Sequence, residues 1–182
     1  MDAEEYFVKQ TLRNRTYICG PNGKFLLIVP VKHTGGKLTA MKDIQISYDS
    51  PWQKIHWRSL VSTYRNSPWF EYYEDELTGL FSHKEKFLFD MNEKIVQALF
   101  KLTGINSEMG RTVEYIQNYS AGEFDLRNLS DPQFFFQSAS LESILPYNQV
   151  FAKNQEFIHG LSILDILFNE GKNVLNFLAP GV

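Results

Sequence analysis

Basic residues near the start of the chain form the first group that could do chemistry. Arg13 and Arg15 flank Asn14, and Lys9 precedes them. Along a strand, residues an even number apart point to the same face, so both arginines and Lys9 would share one side. Two guanidinium groups on one face can grip a phosphate or a carboxylate through paired N–H donors. The pattern predicts an anion site, with a solvated or salt-bridged sheet face as the alternative.

A histidine in a predicted helix is the second candidate. His56 carries an imidazole, which titrates near neutral pH and can act as a general acid or base. The alternative is a hydrogen-bonded helix residue beside Trp57, because the sequence offers no triad partner. Arg65 at the end of the same helix would either join the anion site or cap the last carbonyls.

An acidic and aromatic run follows, from Glu71 to Glu76. Its carboxylates could pair for acid–base work or hold a divalent ion, but a run this dense is more often solvated or marks a helix start. We keep Glu71 and Tyr72 as candidate ligand-binding residues. The sequence has neither His-Glu-x-x-His nor a spaced set of cysteines, so we predict no metal site.

The last group lies towards the C-terminus. Tyr147 and Gln149 precede His159, which leads into a predicted helix containing Asp165. Segments that enter helix N-termini often face ligands, because free amide groups point there. His159 is therefore a second candidate for proton transfer, or else a turn histidine packed beside Phe157. Asp165 would orient a basic partner or merely cap its helix.

Composition narrows the classes of protein. The net charge of −3 argues against a protein that coats nucleic acid. The single cysteine, Cys19, excludes an intramolecular disulfide, and its predicted hairpin position is poor for an activated thiolate. The start of the chain has no basic and apolar secretory signal, and no apolar run approaches the length of a membrane span. We therefore expect a cytoplasmic protein with no membrane span.

Strands and helices must position these groups. Thr16–Cys19 and Phe25–Val29 flank an Asn22-Gly23 turn, which predicts a hairpin whose second strand is buried on both faces. Further strands are predicted at three places: Glu5–Gln10, Ile44–Ile46 and Thr112–Asn118.

Helical spacing and stop signals predict the remaining elements. A helix from Trp52 to Tyr64 would start with Ser50 as its N-cap and Pro51 in its first turn. Others are predicted at Trp69–Leu80, at Lys84–Thr103 before Gly104, at a Ser162-capped segment ending near Gly171, and at Asn173–Leu178. We expect Phe134 to Phe136 to be buried. The order of elements predicts a single α/β domain over residues 1–182, with a mixed sheet, a hairpin and flanking helices.

Four stretches, in this order, resemble the WbqC-like family, a bacterial group tied to O-antigen and other surface polysaccharide genes. They are Lys9–Arg15 with the Asn22-Gly23 turn and Val29–Val31, then Trp52–Leu60, Tyr64–Tyr73 and Leu161–Gly171. Family members begin with a further strand and helix carrying a Tyr-Leu-Pro-like motif, which would precede Met1 here. The resemblance therefore leaves open whether this chain alone is a complete active enzyme.

The resemblance implies a role in making or decorating a sugar precursor, for example transfer of an acyl or aminoacyl group to an amino sugar. Our leading hypothesis is a transferase that acts on a sugar precursor or nucleotide sugar, with no cofactor named by the sequence. Arg13, Arg15 and Arg65 would hold an anionic part, and His56 or His159 would move a proton. The rival hypothesis is a non-catalytic binding or assembly protein of the same pathway, which the 15% aromatic content favours.

Overall fold

The computed structural model of the chain describes residues 1–120, 122–138, 144–151 and 156–178. In these ranges two strands are followed by helices. The strands are β1 (Arg15–Gly20) and β2 (Gly23–Ile28), and the helices are α1 (Trp52–Tyr64), α2 (Phe70–Ser82), α3 (Leu88–Thr103), α4 (Pro132–Phe136), α5 (Ile163–Glu170) and α6 (Val174–Leu178). Single 3-10 turns occur at Met41–Asp43, Arg127–Ser130 and Gly171–Asn173. This confirms the predicted α/β organisation of a hairpin with flanking helices.

The hairpin forms where the Asn-Gly turn predicted it. β1 and β2 pair antiparallel, and Gly20 lies opposite Gly23, whose φ of 108° suits a glycine. The prediction that the second strand is buried on both faces was wrong. Phe25 is 47% exposed and Ile28 is 39% exposed, because only one face of the hairpin packs on the helices.

Three of the strand predictions were also wrong. In the described residues, Glu5–Gln10 and Ile44–Ile46 contribute only isolated bridges, such as Tyr6 with Ala40 and Val31 with Ile46. Thr112–Asn118 forms no strand, and Val113 is 91% exposed. Alternating side chains make a strand only where a second strand supplies hydrogen-bond partners, and none lies beside this segment.

Helix α1 has the bounds that its spacing predicted, although its N-cap is Pro51 rather than Ser50, and no side chain caps it. Trp52, His56, Leu60 and Tyr64 follow one another at intervals of four and form its buried stripe. The imidazole of His56 therefore points inwards, away from solvent.

Helix α2 packs against α1, and α3 packs against α2. α3 begins at Leu88, four residues after the predicted start at Lys84, because Gln45 bridges to Phe87 and holds the preceding residues extended. It ends at Gly104, which adopts the predicted left-handed conformation with a φ of 76°.

In the helices that follow residue 130, one predicted N-cap is confirmed and one prediction of a buried side chain is wrong. Ser162 caps α5, with its hydroxyl accepting a bond from the amide of Leu164 at 3.3 Å. Phe134 was expected to be buried but is 56% exposed, because the short α4 lies on the surface. Phe136 is half-buried against Tyr17 of the hairpin, with their ring centroids 5.5 Å apart.

Two apolar clusters form the core. The first joins the hairpin to α1, α2 and α5 through residues such as Ile18, Leu60, Tyr64, Phe70, Leu167 and Phe168. The second joins the N-terminal segment to the start of α1 and of α3 through Ala3, Val29, Met41, Ile44, Ile46, Trp52, Leu88 and Phe89. Helix α1 belongs to both clusters, and His56 lies between its two contributions. Among the described helices, none combines the length and the apolar character that crossing a bilayer requires.

Candidate functional site

A cavity of about 440 Å³ opens between the hairpin and helices α1, α2, α3 and α5. Its volume falls within the range of roughly 300–1,000 Å³ typical of small-molecule sites. Arg13, Asn14, Arg15 and His56 all line it. The structure thus brings four of the residues singled out from the sequence to one place.

Most of the cavity wall is apolar. Helices α1, α2, α3 and α5 supply long aliphatic and aromatic side chains, among them Leu60, Leu80, Phe81, Ile95, Leu99 and Leu164. A wall of this kind with a few polar groups at one side is the usual make-up of a site for a ligand that has an apolar body and a polar end.

Arg15, the first residue of β1, is the most suggestive polar group. Its Nε is buried and has no hydrogen-bond partner, and no ion pair forms on its guanidinium among the described residues. An arginine side chain keeps its charge in proteins, so a buried donor without a partner is costly. An anion or a carbonyl oxygen in the cavity would satisfy it.

Asn14, directly before β1, presents a second unsatisfied atom. Its Nδ2 donates to the carbonyl of Val29 at 2.9 Å, while the amide of Val29 donates to the Asn14 carbonyl at 2.8 Å. This fixes the orientation of the side-chain amide, because the carbonyl of Val29 can accept only from the NH₂ group. The Oδ1 atom is buried without a partner and is free to accept a hydrogen bond from a ligand.

Arg13 also lines the cavity, but its charge is already compensated. Its Nε donates to Glu5 Oε1 at 2.9 Å, and its terminal nitrogens bond Glu5 Oε2 and the hydroxyl of Ser130. The side chains of Arg13 and Glu5 are only 10% and 15% exposed. This pair anchors the N-terminal segment to the cavity rim rather than offering an open cation.

His56 contributes an imidazole that is 7% exposed. Its ring lies edge-on to Trp52, with 5.1 Å between the centroids. Burial lowers the pKa of His56, and a hydrogen bond to the backbone of Ile28 acts in the opposite direction. The ring is therefore neutral at pH 7. A neutral imidazole has one ring nitrogen without a hydrogen, and this nitrogen is able to take a proton.

A second polar cluster lies behind β1, in the core. Asp165 is fully buried, and its two oxygens accept hydrogen bonds from the hydroxyls of Tyr64 and Tyr147, each at 2.6 Å. The Tyr64 oxygen also accepts a bond from the amide of Cys19 at 2.9 Å. Gln149 bonds both backbone groups of Ile158, at 2.9 and 2.8 Å, and fixes the segment beside Tyr147.

Burial dominates the electrostatics of this cluster. It raises the pKa of Asp165, although the hydrogen bonds from Tyr147, Tyr64 and Gln149 oppose the rise. Burial together with the charge of Asp165 raises the pKa of both tyrosines, and it raises the pKa of the Cys19 thiol to about 11. The cluster joins β1, α1 and α5 through satisfied bonds, which is what a structural network requires.

The other five predicted site residues do not line the cavity. Lys9 is exposed in a turn rather than on a strand with the arginines, and Arg65 is exposed 3.8 Å from Glu74. Glu71 is exposed on α2, and Tyr72 is 62% exposed against Trp69. His159 is exposed, with its ring centroid 4.7 Å from that of Phe157.

One polar residue of the cavity did not emerge from the sequence. Asn92 lines it and donates to the carbonyl of Arg13 at 2.8 Å. A signal was present, because Asn92 interrupts the apolar face of α3 between Leu88 and Ile95. A polar side chain on such a face needs a buried partner.

A second cavity, of about 370 Å³, lies at the start of α1 and carries none of the predicted site residues. It is lined by polar side chains such as those of Asp49, Lys54 and Lys84. Within the described ranges, no three histidine, cysteine, aspartate or glutamate side chains gather as they would around a metal ion. The cavity with Arg15 and His56 is therefore the candidate site.

Comparison with known protein families yields one match, which covers most of the chain. The model of the WbqC-like protein family matches residues 1–130. The matched part contains Arg13, Asn14, Arg15 and His56, whereas the Leu161–Gly171 stretch lies beyond it. Searches of curated proteins and of solved structures each returned no match.

Proposed function

Because the chain belongs to the WbqC-like protein family, we propose that it is a transferase modifying a sugar precursor of bacterial surface polysaccharide. The reaction we propose is transfer of an acyl or aminoacyl group to an amino sugar or its nucleotide derivative. One observation carries this choice of site: Arg15, Asn14 and His56 line a single apolar cavity. A site with convergent polar groups in an apolar cleft is the default place for small-molecule chemistry.

In this proposal Arg15 holds the anionic or oxygen-rich part of the donor. Its buried Nε has no partner and can donate to a carbonyl oxygen on which negative charge develops during the reaction. Arg13 does not bind the donor, because Glu5 and Ser130 already bond its guanidinium. It holds the N-terminal segment at the cavity rim. Arg65 has no part, since it lies on the exposed end of α1.

His56 accepts the proton. The amine of the sugar attacks the acyl carbonyl carbon, a carbon–nitrogen bond forms, and the bond to the leaving group breaks with its electron pair. His56 takes the proton that the nitrogen loses, because its imidazole is neutral near pH 7 and has a nitrogen able to accept a proton. Asn14 Oδ1 accepts a hydrogen bond from the same amine and orients it. His159, which lies outside the cavity, is not needed.

The wider setting belongs to the same proposal. We place the protein in the cytoplasm, where activated sugar precursors and acyl donors are made, and we treat residues 1–182 as one functional domain. The single cysteine, buried as a free thiol, accords with that setting.

The experiment is a mass-spectrometric assay. The purified protein is incubated with nucleotide-linked amino sugars and with acyl or aminoacyl donors, and the product is detected by its mass. His56→Gln should lower the rate about 10²–10⁴-fold, the usual contribution of a positioned acid or base. Arg58→Met changes an exposed arginine on the same helix and serves as the matched control. Unchanged rates in both His56→Gln and Arg15→Met would remove the assignment of the site.

A non-catalytic binding or assembly protein of the same pathway is the second candidate. The observation in its favour is the exposure of large apolar side chains on segments 113–126, where Phe124 is 85% exposed and Tyr115 is 52% exposed. The assay separates the two candidates. If the protein binds a nucleotide sugar tightly but forms no product with any of the donors, the result would favour the binding protein.

A further inference from the structure

The cavity also indicates which kind of acyl group it takes. We propose that it binds an uncharged aliphatic acyl chain, rather than an aminoacyl group, with the carbonyl end at Arg15 and the chain lying among the leucines of α2 and α3. This inference rests on the proposed function in one respect, namely that the bound group is the one transferred. The same site should also bind the free aliphatic carboxylate.

The first argument is the charge balance of the wall. Among the described residues that line the cavity there is no aspartate and no glutamate, while Arg13 and Arg15 both lie there. Arg13 has its counter-charge in Glu5, so Arg15 is the cation left to be balanced in this part of the chain. An aminoacyl group would add an ammonium ion with no carboxylate to meet it, which is costly away from water.

The second argument is the division of the cavity into two chemical zones. The unpartnered atoms, Arg15 Nε and Asn14 Oδ1, belong to neighbouring residues at the start of β1. Apart from Asn92, the residues that α2 and α3 contribute to the wall are apolar, with Leu77, Leu80 and Leu99 among them. A carbonyl or carboxylate oxygen at one end of a ligand can accept a hydrogen bond from Arg15 Nε, and saturated carbon over the rest of its length can lie against the apolar walls. Asn14 Oδ1 is an acceptor and stays available for an N–H group of the amino sugar.

The third argument is the availability of the polar groups. Asn92 bonds the carbonyl of Arg13, so its side-chain amide is already engaged. Ser162 is committed to the cap of α5. Few donors and acceptors are left for a polyhydroxylated sugar ring inside the cavity, so the sugar is expected at the opening and the chain inside.

The test is titration calorimetry with a homologous series. The probes are straight-chain carboxylates of four, six and eight carbons, the alcohols of the same lengths, and 2-aminooctanoate, which carries its ammonium beside the carboxylate as an aminoacyl group does. Burial of each methylene should tighten binding about fourfold, so hexanoate should bind about sixteenfold more tightly than butanoate. Octanoate should bind at least about tenfold more tightly than octan-1-ol and about a hundredfold more tightly than 2-aminooctanoate.

Variants assign the two zones. Arg15→Met keeps the length of the side chain but removes the charge, and should abolish the preference for octanoate over octan-1-ol while leaving the alcohol unaffected. Arg58→Met should leave both affinities unchanged. Val96→Phe adds bulk to the α3 wall and should weaken octanoate more than butanoate. Circular dichroism and the melting temperature of each variant establish that it is folded.

Several results would overturn the inference. These are an affinity that does not depend on chain length, equal binding of octanoate and octan-1-ol by the unchanged protein, or binding of 2-aminooctanoate as tight as that of octanoate. The outcome is distinguishable from failure of the proposed function. Length-dependent binding of carboxylates without any transfer product would support the aliphatic ligand and contradict the transferase. Transfer from aminoacyl donors alone would support the transferase and contradict the aliphatic ligand.

Discussion

Replacing Tyr64 by phenylalanine removes one oxygen atom from the most deeply buried polar cluster. That oxygen donates to Asp165 Oδ1 at 2.6 Å and accepts from the amide of Cys19 at 2.9 Å. Tyr64 and Asp165 are both fully buried, so water cannot replace either bond without opening the core. The substitution therefore leaves two buried groups without partners.

The size of the effect follows from those two groups. Each buried donor or acceptor left unsatisfied costs about 1–3 kcal/mol, so Tyr64→Phe should lower the free energy of unfolding by roughly 2–6 kcal/mol. The matched control is Tyr147→Phe, because the hydroxyl of Tyr147 also donates to Asp165 at 2.6 Å but bonds no backbone amide of Cys19. Its expected cost is about half as large.

Urea denaturation followed by tryptophan fluorescence measures both variants, with the unchanged chain as reference. The slope of the unfolding free energy against urea should stay constant, which shows that only stability has changed. A double-mutant cycle with Asp165→Asn should show coupling for each tyrosine. A loss below about 1 kcal/mol for Tyr64→Phe, or equal losses for the two tyrosines, would refute this account of the cluster.

Three further predictions concern other groups. Burial raises the pKa of Asp165 above its value in the unfolded chain. The contribution of this residue to stability is therefore complete below about pH 4 and is lost as pH rises through the raised pKa. Urea titrations from about pH 4 to 8 should show the unfolding free energy falling with pH, and Asp165→Asn should remove the part of this dependence that Asp165 causes. Gly171→Ala would place a Cβ 2.6 Å from the Trp69 ring at a φ of +60°, and should cost about 2–4 kcal/mol. Gly36→Ala, with a φ of +79° and open space, should cost only about 1–2 kcal/mol, and urea denaturation measures both glycine variants. The Cys19 thiol, buried and with its pKa raised to about 11, should react with an aromatic disulfide at pH 8 only after urea is added, and rapid labelling of the native chain would contradict this.

Local signals in the sequence were sufficient where the structure depends on neighbours along the chain. The Asn22-Gly23 turn specified the hairpin, and the predicted helix from about Trp52 to Tyr64 agrees with α1. The stop at Gly104 is of the same kind, since a left-handed residue ends a helix whatever lies around it. These features need no knowledge of distant partners.

Features that depend on residues far apart in the chain could not be predicted from the sequence. The prediction of a strand over Thr112–Asn118 was wrong because pairing is decided by the segment opposite, and no segment in the described part of the chain pairs with these residues as a strand. Tyr64 and Asp165 are 101 residues apart, so their bond could not be foreseen, although both residues had been noticed separately. Arg13 and Arg15 looked equivalent in the sequence. Only the position of Glu5 distinguishes the compensated arginine from the one whose Nε has no partner.

Helix α1 contributes Trp52 to one apolar cluster and Leu60 with Tyr64 to the other. Neither cluster can come apart without losing residues of the same helix, so the two halves of the core should unfold as one cooperative unit. The amide hydrogens in the middle of α1, including that of His56, should then exchange with deuterium only through complete unfolding. Surface segments such as residues 113–118 should exchange far sooner. The candidate base would keep its place while the edges of the molecule open and close around it.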